Sequence, residues 1–435
     1  MSYCTKLCRA LCILAFFLPV VVKAEAPVKS IVIFGDSLSD TGNTTHLLKS
    51  LRQEESPAYL VYPVKVFVIN KMTEFAEEYY VPQILLDTGI DIVTDFFDTG
   101  VGPMLASLIS NIKKAPILPG APYWQDHFSN GRVWDEYLAP MLSVDREDKR
   151  YFTNKAFGGS WAVTYDYQLT VWNLIRHPLL TVKNLIVGKL IPPSLGLTVQ
   201  AYLLVNEQLS DETVYFVFTG GNDYLNTFRF ADNYDSTKLS AYIDNVIDGI
   251  GGSVKKLVKA GAKRFVILGV PSIGVAPRYL NTADSDLLNY VSQTHNERLA
   301  QKVMEWQNSF PDVDFLFIDI QPILHKAIEN PVLFGFKNVT DACIDVKFPM
   351  FKLSADSPFK GNFVLEYAQT LQYKDKNFAP NEKNYHVCAN PDDYLFWDEI
   401  HPTTKAHLFL ADEICLAMKA HGYKTNCARL INKDI

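Results

Sequence analysis

The chain is 435 residues long, 48% hydrophobic and 20% charged, which supplies a sizeable core and excludes global disorder. Its formal charge of −7 excludes the basic surface expected of a nucleic-acid-binding protein. The length exceeds one minimal domain, but a single α/β domain with large insertions reaches it.

Residues 1–24 have the layout of a cleaved secretory signal peptide. Lys6 and Arg9 form a positive start, "ALCILAFFLPVVV" is too short to span a bilayer comfortably, and Val22-Lys23-Ala24 supplies small residues for cleavage. The mature protein is therefore expected to be extracellular, or periplasmic in transit. Cleavage removes three lysines or arginines and no acid, leaving 38 basic against 48 acidic residues and a charge near −10.

The mature chain opens on "IVIFGDSLSDTGN" at 31–43, an apolar strand pattern that stops abruptly at acids and serines. Ser37 follows the strand and precedes a helix, so its hydroxyl is expected at the rim of a sheet. A serine becomes a nucleophile only when an imidazole takes its proton and a carboxylate orients that imidazole. On local grounds Asp36 and Ser39 are equally suited to plain turn and cap roles. Residues 45–125 are long, aromatic and interrupted by proline, and are expected to be an insertion. "NKAFGGSWA" at 154–162 brings glycines whose backbone N–H groups can approach a substrate oxyanion.

Residues 171–197 are strongly apolar and carry no acid. They suit either a membrane-facing stretch, with Arg176, Lys183 and Lys189 at lipid head groups, or a packed helical hairpin. Further β-branched runs stand at 213–223, 263–271 and 313–319, separated by helical patterns at 238–262 and 286–310. Continuous apolar strands alternating with helices predict an open, mainly parallel sheet covered on both faces, with its site at the carboxyl ends of the strands. Asn222 ends the strand of "FTGGNDYL" and is a second candidate oxyanion donor.

Residues 344–387 are the third expected insertion. "FWDEIHPTTKAH" at 396–407 then places Asp398 three residues before His401. Pro402 suits the first turn of a following helix and keeps His401 outside it, so Asp398 and His401 can project from one turn. His407 falls inside that helix. Four cysteines remain in the mature chain: Cys343, Cys388, Cys415 and Cys427. An even number in an exported chain suggests disulfides. Three pairings are open, and the two sequential ones, Cys343–Cys388 and Cys415–Cys427, are the expectation. Neither C-x-x-C nor H-E-x-x-H occurs, so no metal and no cofactor is expected.

Four separated blocks, "FGDSLSDTGN", "NKAFGG", "GGND" and "DEIHP", together resemble the GDSL, or SGNH, hydrolase family. The G-x-S-x-G elbow of α/β-hydrolases is absent. The resemblance implies a three-layer α/β/α, flavodoxin-like fold with a five-stranded sheet, formed by residues 25–435 as one domain. It implies Ser37 as nucleophile with Asp398 and His401 completing the triad. It also implies an oxyanion hole made by Ser37, Asn222 and Gly159, with Gly158 as the alternative to Gly159. "FSNGRVWDEYLA", "LGVPSIGVAP" and "NPDDYLFWDEIHPTTKAH" are similar to the lipase-like branch of the family, and most of all to secreted phospholipase A/glycerophospholipid:cholesterol acyltransferases of the Legionella type.

That likeness implies a phospholipid membrane or micelle surface as substrate and cholesterol as an acyl acceptor. If Cys343 and Cys388 are joined, the tethered 344–387 loop is either a cover for the site opened by an activating protease, as comparable disulfide loops of such acyltransferases suggest, or a stapled surface excursion that limits unfolded-state entropy. A small-ester or carbohydrate-acetyl esterase and a non-catalytic membrane-binding toxin are the alternatives on the same fold.

Overall fold

The computed structural model describes residues 25–53, 58–101, 119–162, 193–206, 208–225, 236–345 and 385–427. The proposed signal peptide, nearly all of the apolar 171–197 segment and most of the 344–387 loop lie outside these residues.

The strands and helices follow in chain order. The chain begins with β1 (Ser30–Gly35), α1 (Asn43–Gln53), α2 (Ala58–Glu78), α3 (Gln83–Phe96), α4 (Trp134–Met141), β2 (Phe152–Asn154) and α5 (Leu195–Val205). Next come β3 (Thr213–Phe218), α6 (Gly221–Leu225), α7 (Ser236–Lys259), β4 (Arg264–Leu268), α8 (Ser285–Ser309) and β5 (Asp314–Ile318). The last elements are α9 (Gln321–Glu329), β6 (Asn338–Ala342), β7 (Tyr394–Phe396) and α10 (Thr404–His421).

The main sheet has five strands in the order β2-β1-β3-β4-β5, all parallel. This is the doubly wound order of flavodoxin-like folds, and its switch point lies at β1 and β3. Alternation along β1 creates the layers. Ile31 and Ile33 face a core with Trp134 and Leu138 of α4 and Ala411 and Met418 of α10. Val32 and Phe34 face the opposite core, with Val199 of α5, Val246 of α7 and Leu299 of α8. Both faces of β1 are thus buried, which explains an apolar run without polar alternation. Each such side chain withdrawn from water contributes about 1.5–3 kcal/mol.

Part of the expected 45–125 insertion is an antiparallel hairpin of α2 and α3. Lys65 Nζ meets Asp98 at 3.0 Å near one end. The connection at the other end exposes Tyr80 (92%) and Ile84 (74%), together with Tyr79 and Leu85. Near the close of this segment, Tyr123 reaches the site described below. The 171–197 segment ends inside α5, whose Leu195 and Val199 are core residues.

β6 and β7 form a separate two-stranded parallel sheet beside the main one. Both expected disulfides are present, Cys343–Cys388 and Cys415–Cys427. The first ties the end of the β6 strand to the return of the 344–387 loop, where Ile344 also bridges Val387.

Candidate active site

The site is built at the switch point. β1 delivers Ser37 to the carboxyl end of the sheet, and β3, its neighbour, delivers Asn222. The turn after β1 is held by Asp36, whose Oδ1 accepts the Leu38 N–H at 3.1 Å and whose carbonyl accepts the Ser39 N–H. Asp40 lies three residues before the next helix, α1. Its carboxylate accepts the N–H groups of Gly42, Asn43 and Thr44, the unpaired donors at the start of α1.

Asp398 and His401 share one tight turn. The Trp397 N–H donates to the His401 carbonyl at 2.8 Å, while Asp398 Oδ1 accepts the N–H groups of Ile400 and His401, both at 2.7 Å. Pro402, expected in the first turn of the helix, lies two residues before its first residue, Thr404. Thr403 is the N-cap of α10, and Phe396 pairs with Pro402 in an isolated bridge that keeps this residue extended.

The three candidate triad residues meet. Asp398 Oδ2 lies 2.7 Å from His401 Nδ1, and His401 Nε2 lies 2.8 Å from Ser37 Oγ. A carboxylate only accepts, so Nδ1 carries the ring proton and Nε2 accepts from the serine hydroxyl. Asp398 is fully buried. Burial alone would raise its carboxyl. Electrostatic interaction with the adjacent His401 ring, with hydrogen bonds from that ring, from the His401 amide and from Ile400, outweighs burial and holds the group below its ordinary value. Asp36 has no such set of donors, and burial pushes its carboxyl up to about 7.

The structure separates the two candidate glycines. The Gly158 N–H is committed to Asp40 Oδ2 at 2.8 Å and Thr44 Oγ1 at 2.7 Å. A Cβ at Gly158 would stand 2.3 Å from the Phe128 ring, so this glycine provides packing space. Gly159 has φ +79°, a conformation that favours glycine. Among the described residues its N–H, like that of Ser37, has no hydrogen-bond acceptor. The Asn222 side chain is oriented by donation from Nδ2 to the Ser160 carbonyl at 2.9 Å, which ties the third block to the second.

Three residues outside the four blocks also hold the site. The Tyr123 hydroxyl donates to Asp398 Oδ2 at 2.7 Å. Phe128 lays its ring 5.3 Å from that of His401. Ser129 Oγ donates to the Pro402 carbonyl at 2.9 Å. Phe128 and Ser129 sit in the "FSNGRVW" stretch; Tyr123, just before it, has no sequence signal beyond that proximity. His407 is buried in α10, and burial first, then the neighbouring His401 and His127, pushes its imidazole down to about 3.

An apolar cavity of about 140 Å³ opens at Ser37, Asn222 and His401. It continues between α9 and α10 past Ile323, Leu324, Phe334 and Phe409. Among the described residues no group of three or more His, Cys, Asp or Glu is placed to hold a metal ion.

Comparison with known proteins is consistent with this geometry. The family model described as GDSL-like Lipase/Acylhydrolase matches residues 31–414. The chain is 23% identical to GDSL esterase/lipase At1g29670 of Arabidopsis thaliana, with 99% of each chain covered. It is also 23% identical to a sinapine esterase of Brassica napus, over 89% of this chain and 85% of the relative. GDSL esterase/lipase EXL2 of Arabidopsis thaliana is a further relative, 23% identical over 88% of this chain and 86% of its own.

Proposed function

The chain belongs to the GDSL-like lipase/acylhydrolase family, and from that premise we propose a serine esterase that cleaves fatty-acyl esters of phospholipids and lysophospholipids, with acyl transfer to cholesterol as a second outcome. In this reading Ser37 Oγ attacks the ester carbonyl as His401 Nε2 takes its proton. Asp398 stays ionised and stabilises the imidazolium. The oxyanion is held by the N–H groups of Ser37 and Gly159 and by Asn222 Nδ2. Collapse passes the proton from His401 to the leaving alcohol and leaves the acyl group on Ser37. Water, deprotonated by His401, then releases a fatty acid. The cholesterol hydroxyl in place of water gives a sterol ester, which requires an acceptor site that keeps water out.

The observation that carries the lipid reading is the apolar cavity opening beside the Ser37–His401 pair. An alkyl chain entering it gains about 0.8 kcal/mol per methylene removed from water. The exposed Tyr79, Tyr80, Ile84 and Leu85 at the hairpin turn support contact with a lipid surface. An acetylated sugar would use neither feature. Export through residues 1–24 belongs to the same reading and is supported by the two disulfides, which persist in oxidising compartments. The Cys343–Cys388 bond further supports a loop that an activating protease can cut while both fragments stay joined.

Lipid product analysis of the purified protein tests the proposal. Phosphatidylcholine or phosphatidylglycerol should yield fatty acid and lysophospholipid, with cholesteryl ester appearing when cholesterol is present. Ser37→Ala should remain folded and lose about 10⁴-fold or more in kcat. Preference for short-chain esters or acetylated sugars would overturn the lipid assignment. Haemolysis that survives in Ser37→Ala would favour a membrane-binding toxin instead.

A further inference from the structure

We propose that Tyr123 is a positioning residue of the triad, whose phenol holds Asp398 and tempers the negative charge that His401 feels. The inference rests on the serine-esterase reading and adds a fourth member to its relay. Asp398 Oδ2 receives two donors, His401 Nδ1 and the Tyr123 hydroxyl, each at 2.7 Å. Asp398 Oδ1 is already filled by the Ile400 and His401 amides. The phenol therefore shares the oxygen that stabilises the imidazolium, rather than completing an idle one. A second donor on that oxygen spreads its charge and weakens its hold on the proton at His401.

The placement of Tyr123 is built, not incidental. Its ring packs edge-on against Trp397, 6.3 Å away in the turn that carries Asp398, and against Phe128 at 6.5 Å. Phe128 in turn lies on His401, and Ser129 and Asn130 bond to Pro402 and Thr404. The 123–130 stretch thus clasps the whole turn, with the hydroxyl at its centre. Burial, with the nearby Asp398 charge adding to it, raises the phenol well above its ordinary value, so it remains a donor throughout the working pH range.

Other charged and titratable groups face this cluster. Arg278 and Glu399, paired at 3.3 Å, lie beside Tyr123, while Asp36 and His407 lie on the His401 side. Tyr123→Phe leaves all of them in place and keeps the ring contacts.

The test combines kinetics with a direct titration. With a soluble ester substrate, Tyr123→Phe should lower kcat about tenfold at unchanged KM. It should also move the acid limb of the kcat/KM profile to higher pH by about half a unit, roughly a threefold change in proton affinity. Site-specific 3,5-difluorotyrosine at 123 is a stronger donor and should move the limb the other way. NMR titration of the His401 ring in the full chain should show the same two opposite shifts, whether or not an ester is turned over. Opposite shifts without esterase activity would retain the Tyr123 inference and sink the esterase reading. An active enzyme whose limb and ring titration stay put in both variants would overturn the inference and leave the esterase intact.

Discussion

Asp36 stands one residue before the candidate nucleophile with a carboxyl that burial pushes up to about 7. An acid with a higher pKa folded than unfolded binds its proton more tightly in the native state. Its contribution is therefore full at low pH and is lost as pH rises from about 4 through about 7, amounting to about 4 kcal/mol. Asp36→Asn should flatten the stability–pH curve across this window relative to wild type, read by urea unfolding at several pH values; parallel curves would refute the assignment. At this scale the sequence is legible where partners are close in the chain. Asp398 and His401 are three residues apart, and Ser37 and Asn222 each follow a strand pattern. Tyr123 and Asp40 are not legible, because their partners Asp398 and Gly158 lie 275 and 118 residues away. The same distant bond between Asp40 and Gly158 is what distinguishes Gly159 from its neighbour, a distinction composition cannot draw.

Elements with a full apolar period are readable, and short or unusual ones are not. The runs at 30–36, 213–223, 263–271 and 313–319 contain β1, β3, β4 and β5, and the patterns at 238–262 and 286–310 are α7 and α8. β2 has three residues, too few to show alternation, and is recognisable only through its pairing with β1. The α2–α3 hairpin carries a prediction of its own. If its exposed turn meets lipid, Tyr80→Asp combined with Ile84→Asp should reduce hydrolysis of phospholipid vesicles about tenfold or more while leaving a soluble short-chain ester unaffected. Equal loss on both substrates would instead place the hairpin's role within the fold.

Across the whole molecule, the disulfides close loops of sequence separation 45 and 12, for which chain entropy suggests about 4 and about 3 kcal/mol of stabilisation. The first also lies one hydrogen-bonded layer from the triad turn: the Cys343 and Ile344 amides donate to the Phe396 and Trp397 carbonyls. Cutting the chain once within residues 346–384 should give two fragments that co-migrate until reduced, with the 25–345 and 385–427 core intact by thermal melting. Under the regulatory reading, phospholipid cleavage rises after the cut. Unchanged activity would reduce the loop to a stapled excursion.

The pairing of Ser37 with His401 spans 364 residues, from the first strand of the sheet to the threshold of the last helix. A growing chain on the ribosome thus holds its candidate nucleophile long before it holds the candidate base. Chains fold from the N-terminus as they emerge, so the sheet can assemble around a serine that has nothing to take its proton. Under the proposed mechanism, a product that stops short of Asp398 lacks both partners of Ser37, however well its sheet has formed. In that mechanism, completion of synthesis is thereby the first activation step, since only the finished chain brings a base to Ser37.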